Sequence, residues 1–169
     1  MVKSGGDFYM LQSGSNKVRI VSELVDRGTH FSASEKRSFT CLGKDEGCKF
    51  CASGDKPRVK FLMWVIDRRD GSIKLADFGY SIVKAVSALQ QDEDYTFENI
   101  PDFDIKIVKS GEGMNTEYTV TPSPKTALTE DEQTKVLALE SIDSVAENLK
   151  EKGKPSVVPV AGMEDVPFV

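Results

Sequence analysis

The segment Val59-Lys60-Phe61-Leu62-Met63-Trp64-Val65-Ile66-Asp67 is apolar on both of its alternating faces, as expected for a central strand. Arg68-Arg69-Asp70-Gly71 turns the chain, and Ser72 to Phe78 alternates as the second arm of a hairpin. Upstream, Lys17 to Val25 reads as a strand, with Ile20 and Leu24 on one face and Val21 and Val25 on the other. Asp26-Arg27-Gly28 breaks it. Downstream, Ser81 to Gln91 carries Ile82, Val86 and Leu89 at helical spacing. Asp104 to Lys109 and Thr116 to Thr121 read as two more strands joined through Gly111-Glu112-Gly113, a turn suited to positive φ. Thr129 and Glu132 fit a capping box with Leu128 as its hydrophobic staple. The helix they open carries Val136, Leu139 and Ile142 on one stripe and extends toward Lys150, with a break near Asp143.

This inventory predicts a mainly β fold with some α: a five-stranded oligonucleotide-binding (OB) Greek-key barrel. A loop at about residues 29–56 is expected as an insertion in a barrel domain spanning 1–127. A helical segment follows at 128–151, then a Gly-, Pro-, Ser- and Val-rich tail at 152–169.

The inserted stretch holds His30, Cys41, Cys48 and Cys51, the only histidine and the only cysteines in the chain. Cys48 and Cys51 form a Cys-x-x-Cys knuckle that lets two thiolates reach one ion from a single turn. Cys41 and His30 supply the other corners of a tetrahedron. Four protein ligands leave no position open for water, so the expected cofactor is one structural zinc ion. Three cysteines leave one over in any disulfide scheme, which favours thiolates kept reduced in a cytoplasm. No run of about twenty apolar residues is present, so no membrane partner is expected, and the amino terminus has no secretory pattern.

The net charge of −5 conceals an asymmetry. Residues 1–90 hold fifteen Lys and Arg against ten Asp and Glu, and residues 91–169 hold seven against seventeen. A basic front and an acidic back suit a polyanion site with an acidic tail. Catalysis finds little support: the single histidine is claimed by the metal set, and no phosphate loop or dinucleotide fingerprint occurs. Asp102 and Asp104 share a strand face but lack further carboxylates for a two-metal site. Binding is better supplied. Lys56, Arg58 and Lys60 interleave with Phe61 and Trp64, and Arg68 and Arg69 follow at the turn. Cations on phosphates and rings beneath bases are how single-stranded nucleic acid is held. Lys17 and Arg19 on the first strand, and Phe78, Tyr80 and Tyr118, are further candidates. Phe61 and Trp64 point to opposite faces of one strand, so at least one of them is interior.

A His, then a Cys, then Cys-x-x-Cys, placed between the first and central strands of such a barrel, resembles the zinc subdomain of T4-type phage single-stranded DNA-binding proteins. The resemblance covers roughly residues 8–125 and includes Asn16-Lys17-Val18-Arg19-Ile20, Cys48-Lys49-Phe50-Cys51, Asp67-Arg68-Arg69-Asp70-Gly71 and Lys109-Ser110-Gly111-Glu112-Gly113. It implies zinc on His30, Cys41, Cys48 and Cys51, and a protein that coats single-stranded DNA in phage replication, recombination and repair, in the host cytoplasm. The ligand spacing is tighter than in that pattern, and Met1 to Phe8 carries only Lys3 where the family has a basic arm. The final Glu164-Asp165-Val166-Pro167-Phe168 is similar to the tip with which bacterial single-stranded DNA-binding proteins recruit replication and repair enzymes. Here Val169 follows the Pro-Phe pair. Other functions compatible with the same residues are a zinc-stabilised protein-interaction adaptor and an RNA-binding protein.

Overall fold

The computed structural model describes residues 8–153. Seven strands form one sheet: β1 (Gly14–Ile20), β2 (Val25–Ser32), β3 (Arg37–Thr40), β4 (Arg58–Asp67), β5 (Ile73–Gly79), β6 (Phe103–Ser110) and β7 (Glu117–Lys125). Their order is β3-β2-β4-β1-β6-β7, with β5 on the remaining side of β4. Four helices accompany them: α1 (Lys49–Ala52), α2 (Tyr80–Leu89), α3 (Glu130–Leu137) and α4 (Ile142–Gly153).

The hairpin read from the sequence sits at the centre, with β5 paired to β4 from Ile66↔Ile73 to Lys60↔Gly79. The opposite edge of β4 is shared. Val65 to Asp67 pair with β1, and Arg58 to Leu62 pair with β2. Residues 21–24 bend the chain between the two strands, so the single strand expected over Lys17–Val25 is divided. At the bend Val21 N–H donates to the Trp64 carbonyl (3.0 Å), and Trp64 N–H donates to Ser22 Oγ (2.8 Å). The ladder along β4 is thereby continued.

The expected five-stranded OB barrel is overturned. Among the described residues no pairing joins β7 to β3 or β5, so the seven-stranded sheet is open. The reason lies in β4 itself. Phe61, Met63 and Val65 face α2, in a core with Val18, Ile20, Phe78, Ile82, Val86, Phe103, Ile105 and Ile107. Leu62, Trp64 and Ile66 face the other way, in a second core with Ile73, Leu75, Ile142 and Val145, flanked by Val136 and Leu139. A barrel has one interior, whereas a strand apolar on both faces belongs in the middle layer of a helix–sheet–helix stack.

The predicted capping box is present. Glu132 N–H donates to Thr129 Oγ1 (3.1 Å), and Thr129 N–H donates to Glu132 Oε1 (3.0 Å). The helix breaks after Leu137 and resumes as α4. The region expected as an insertion loop is partly regular, because β2 and β3 pair from Thr29↔Thr40 to Ser32↔Arg37. Their Thr and Ser residues carry no apolar alternation, so this hairpin is silent in the hydrophobic pattern.

Candidate metal centre and the basic surface beside it

The β2–β3 hairpin and the short α1 converge at one end of the sheet. His30 lies on β2, only 2% exposed. Cys41 follows β3 directly, and its N–H donates to the Gly28 carbonyl (2.8 Å). A Cβ at Gly28 would lie 3.3 Å from the Cβ atoms of both Cys41 and Pro57, so glycine permits the close approach of these segments. Gly43, at φ 98°, turns the chain back and donates its N–H to Cys41 Sγ (3.4 Å). Cys48 flanks the start of α1, and Cys51 lies within it.

The four ligand atoms all fall within 4.8 Å of one another. A tetrahedral zinc, with bonds of about 2.3 Å to sulfur and about 2.0 Å to nitrogen, would hold sulfurs about 3.8 Å apart and sulfur and nitrogen about 3.5 Å apart. Cys41 Sγ is 3.9 Å from Cys48 Sγ and 3.5 Å from Cys51 Sγ, and Cys51 Sγ is 3.5 Å from His30 Nε2. On the far side of the ring His30 Nδ1–H donates to Asp55 Oδ2 (2.6 Å), which leaves the Nε2 lone pair aimed at the sulfurs. The cluster is therefore geometrically compatible with one metal ion. Phe50 stacks on His30 at 5.2 Å between ring centroids and on Phe39 at 5.5 Å. Lys49 Nζ sits 5.3 Å from the Phe50 ring centroid and completes the cover.

Electrostatics favour a cation at this point. Burial opposes ionisation of Cys48, but hydrogen bonds from the backbone at Cys51, Leu42 and Phe50 outweigh it and bring its pKa to about 6. Burial raises Cys51 to about 12, and its contacts with Cys41 and Cys48 push the same way. One thiolate forms readily while a neighbouring one is resisted, and a divalent ion removes that resistance by compensating the gathered charge.

The candidate nucleic-acid residues divide sharply by location. Lys56 and Arg58 are exposed and Lys60 is half-buried. Arg58 and Lys60 lie on the face of β4 shared with Leu62 and Trp64. Among the described residues none of these three cations takes part in an ion pair. Thr29 pairs with Arg58, which puts Phe31 one row beyond Arg58 on the same face, 62% exposed. Gly79 pairs with Lys60, which sets exposed Tyr80 at the same end of β4, at the start of α2, the helix that covers the opposite face. Lys17 and Tyr118 are also exposed, but lie away from this end, on β1 and β7.

The other candidates are engaged internally. Arg19 is buried, 3.3 Å from Asp104. Arg68 bridges Asp104 (3.1 Å) and Glu132 (2.5 Å). Arg69 pairs with Asp67 at 3.0 Å and lies over the Tyr9 ring, 4.9 Å from its centroid. Phe78 and Trp64 are core residues, and Trp64 Nε1–H donates to the Glu140 carbonyl (2.9 Å). Phe61 is half-buried against the α2 core. Glu164, Asp165, Val166, Pro167 and Phe168 lie outside the described residues. Lys106, an exposed lysine that the sheet register sets opposite Lys17, belongs to no pattern that marks it in the sequence.

An open sheet with helices on both faces carries, at one end, a His-Cys-Cys-Cys cluster able to hold a metal ion and, beside it, exposed cations. A similar protein is found in Escherichia phage T5, under the name "Probable ssDNA-binding protein". It is 25% identical over 140 residues, an alignment that takes in 68% of this chain and 54% of the phage T5 protein. The chain thus spans about half the length of that curated relative. No family model and no solved structure matches the chain. Among the described residues no helix is long and apolar enough to cross a membrane.

Proposed function

We propose that this chain binds single-stranded DNA stoichiometrically, and that one structural zinc ion organises the end of the sheet that grips the strand. The observation that carries this reading is the run Lys56, Arg58 and Lys60, cations that have no ion-pair partner among the described residues and lie beside the His-Cys-Cys-Cys cluster. Arg19, Arg27, Arg68 and Arg69 are by contrast all held by carboxylates. Phe31 and Tyr80 add exposed rings at the same end, and stacking contributes about 1–3 kcal/mol per base with little regard for sequence. The name carried by the phage T5 relative supports the same reading. The role is binding and not catalysis, since His30, the natural general base, belongs to the ligand set. In a cell such a protein would protect single strands during phage replication, recombination and repair. The tip from Glu164 to Phe168 would recruit replication or repair proteins.

The test is titration of the zinc-loaded protein against labelled single-stranded DNA, double-stranded DNA and RNA across a range of salt. The expected result is tight, salt-sensitive binding that favours single-stranded DNA. Replacing Lys56, Arg58 and Lys60 by Ala should make the slope of log K against log salt shallower by about 2, for three phosphates at about 0.7 each. No binding to any of the three would overturn the reading in favour of a protein-interaction adaptor, and preference for RNA would redirect it to the other sugar.

A further inference from the structure

We infer that the wing formed by β1, β6 and β7 is a second track for the sugar–phosphate backbone of single-stranded DNA, separate from the grip beside the metal centre. The inference rests on the function proposed above. Its basis is a like-charge pair: the register sets Lys17 directly opposite Lys106, and Lys106 opposite Thr121. Alternation puts these three side chains in one row, on the face away from buried Val18, Ile105 and Ile107. Both lysines are exposed, and among the described residues neither forms an ion pair. Like charges directly opposite each other across strands destabilise the pair, with Cβ atoms only about 5 Å apart. An anion lying over both removes that cost.

The surroundings favour a phosphate chain as that anion. On this face one neighbouring row is Ser15, Val108 and Thr119, which sets hydroxyl donors beside the lysines, and the other holds Asp104, already engaged by Arg19 and Arg68. Glu117, the one acid of β7, is a further row away. On the other face of the same wing Lys109 stands opposite Tyr118, which is 37% exposed and offers a ring. On the Lys17 face, α4 packs against β2, β3 and β4, and leaves Lys17, Lys106, Thr119 and Thr121 open to solvent. The wing is also distant from the first grip. Arg68 N–H donates to the Lys17 carbonyl, so Lys17 lies level with a residue eight positions along from Lys60. At about 3.3 Å per residue that is roughly 26 Å. A very short oligonucleotide at the metal end therefore falls short of the wing, and a longer one can reach both.

The experiment is the salt dependence of binding, read by fluorescence anisotropy on the full chain with zinc bound, using a short and a long oligothymidylate. For K17A/K106A on the long strand, the slope of log K against log salt should become shallower by about 1.4, for two phosphates at about 0.7 each. Binding of the short strand, zinc content and Tm should not fall, and K17R/K106R should keep the original slope. An unchanged slope in the alanine variant would overturn the inference while leaving the proposed function intact, because the wild-type protein would still bind. Absence of wild-type binding to either strand would overturn both.

Discussion

The two ends of β4 are held by different physics. Its middle and C-terminal half, from Leu62 to Ile66, is sealed between two apolar cores, with every side chain at most 2% exposed. Its N-terminal end, at Arg58 and Val59, is open to water on both faces and adjoins a segment that buries little. That segment is gathered instead around the His30, Cys41, Cys48 and Cys51 cluster, the Asp55–His30 bond and a three-ring stack, and on the reading proposed above a metal ion fastens it. Burial acts along the whole length of a strand, whereas a ligand set acts at a point. A segment tied at a point can afterwards present cations and rings outward, since none of them is needed inside.

Metal removal should separate the two ends most strongly. Structural zinc contributes about 10–16 kcal/mol of apparent binding free energy in small peptides. Chelation is therefore expected to abolish amide hydrogen-exchange protection across His30 to Asp55 while Met63 to Ile66 stay protected. Simultaneous loss of protection at both ends would mean that the metal supports the entire sheet. A core substitution should do the reverse. Trp64→Ala is expected to cost about 3–5 kcal/mol in global unfolding, read by urea denaturation, while one zinc per chain is still retained at low denaturant.

The smallest effect is one of pH. Burial pushes the Asp67 carboxyl up, but hydrogen bonds from Arg69 and Lys74 outweigh it and hold the pKa at about 2. A folded-state value below the ordinary 3.8 stabilises the protein above that pH, and the contribution is lost as pH falls through about 2. It amounts to about 2 kcal/mol. Cys48, with its pKa at about 6, takes up a proton at higher pH than Asp67, so acid should release a bound ion first and weaken the sheet centre second. Asp67→Asn should remove the lower-pH change in stability and leave the pH of metal release where it was. A shift in both would join the two ends into a single unit.

How far each end could be read from the residues follows from the same contrast. The cluster of His30, Cys41, Cys48 and Cys51 was legible because chemistry marks its members: one histidine and three cysteines, close in a chain with no others. The hairpin of β4 and β5, α2 and the Thr129 capping box were legible because period and caps mark them. The architecture was misread at β4, whose apolar residues on both faces already argued for a middle layer and against a barrel wall. The β2–β3 hairpin was invisible because its strand character rests on backbone pairing of mostly polar residues, in which Phe31 and Phe39 stand alone as apolar members. Arginines were the least legible. Nothing in Arg68-Arg69 indicates that Asp104 and Glu132 wait across the fold to hold Arg68, or that Asp67, two residues back, turns to hold Arg69. Lys106 becomes conspicuous only once the register places it opposite Lys17.

The bend at residues 21–24 has a bearing on how such a chain can change over time. Because β1 and β2 lie in tandem along one edge of β4, the metal end is fastened downstream of the bend and the β1–β6–β7 wing upstream of it. Residues gained or lost in the metal end need not shift the register of Val18, Arg19 and Ile20 with Asp67, Ile66 and Val65. The spacing of the ligands is thus free to drift among descendants while the rest of the sheet keeps its frame.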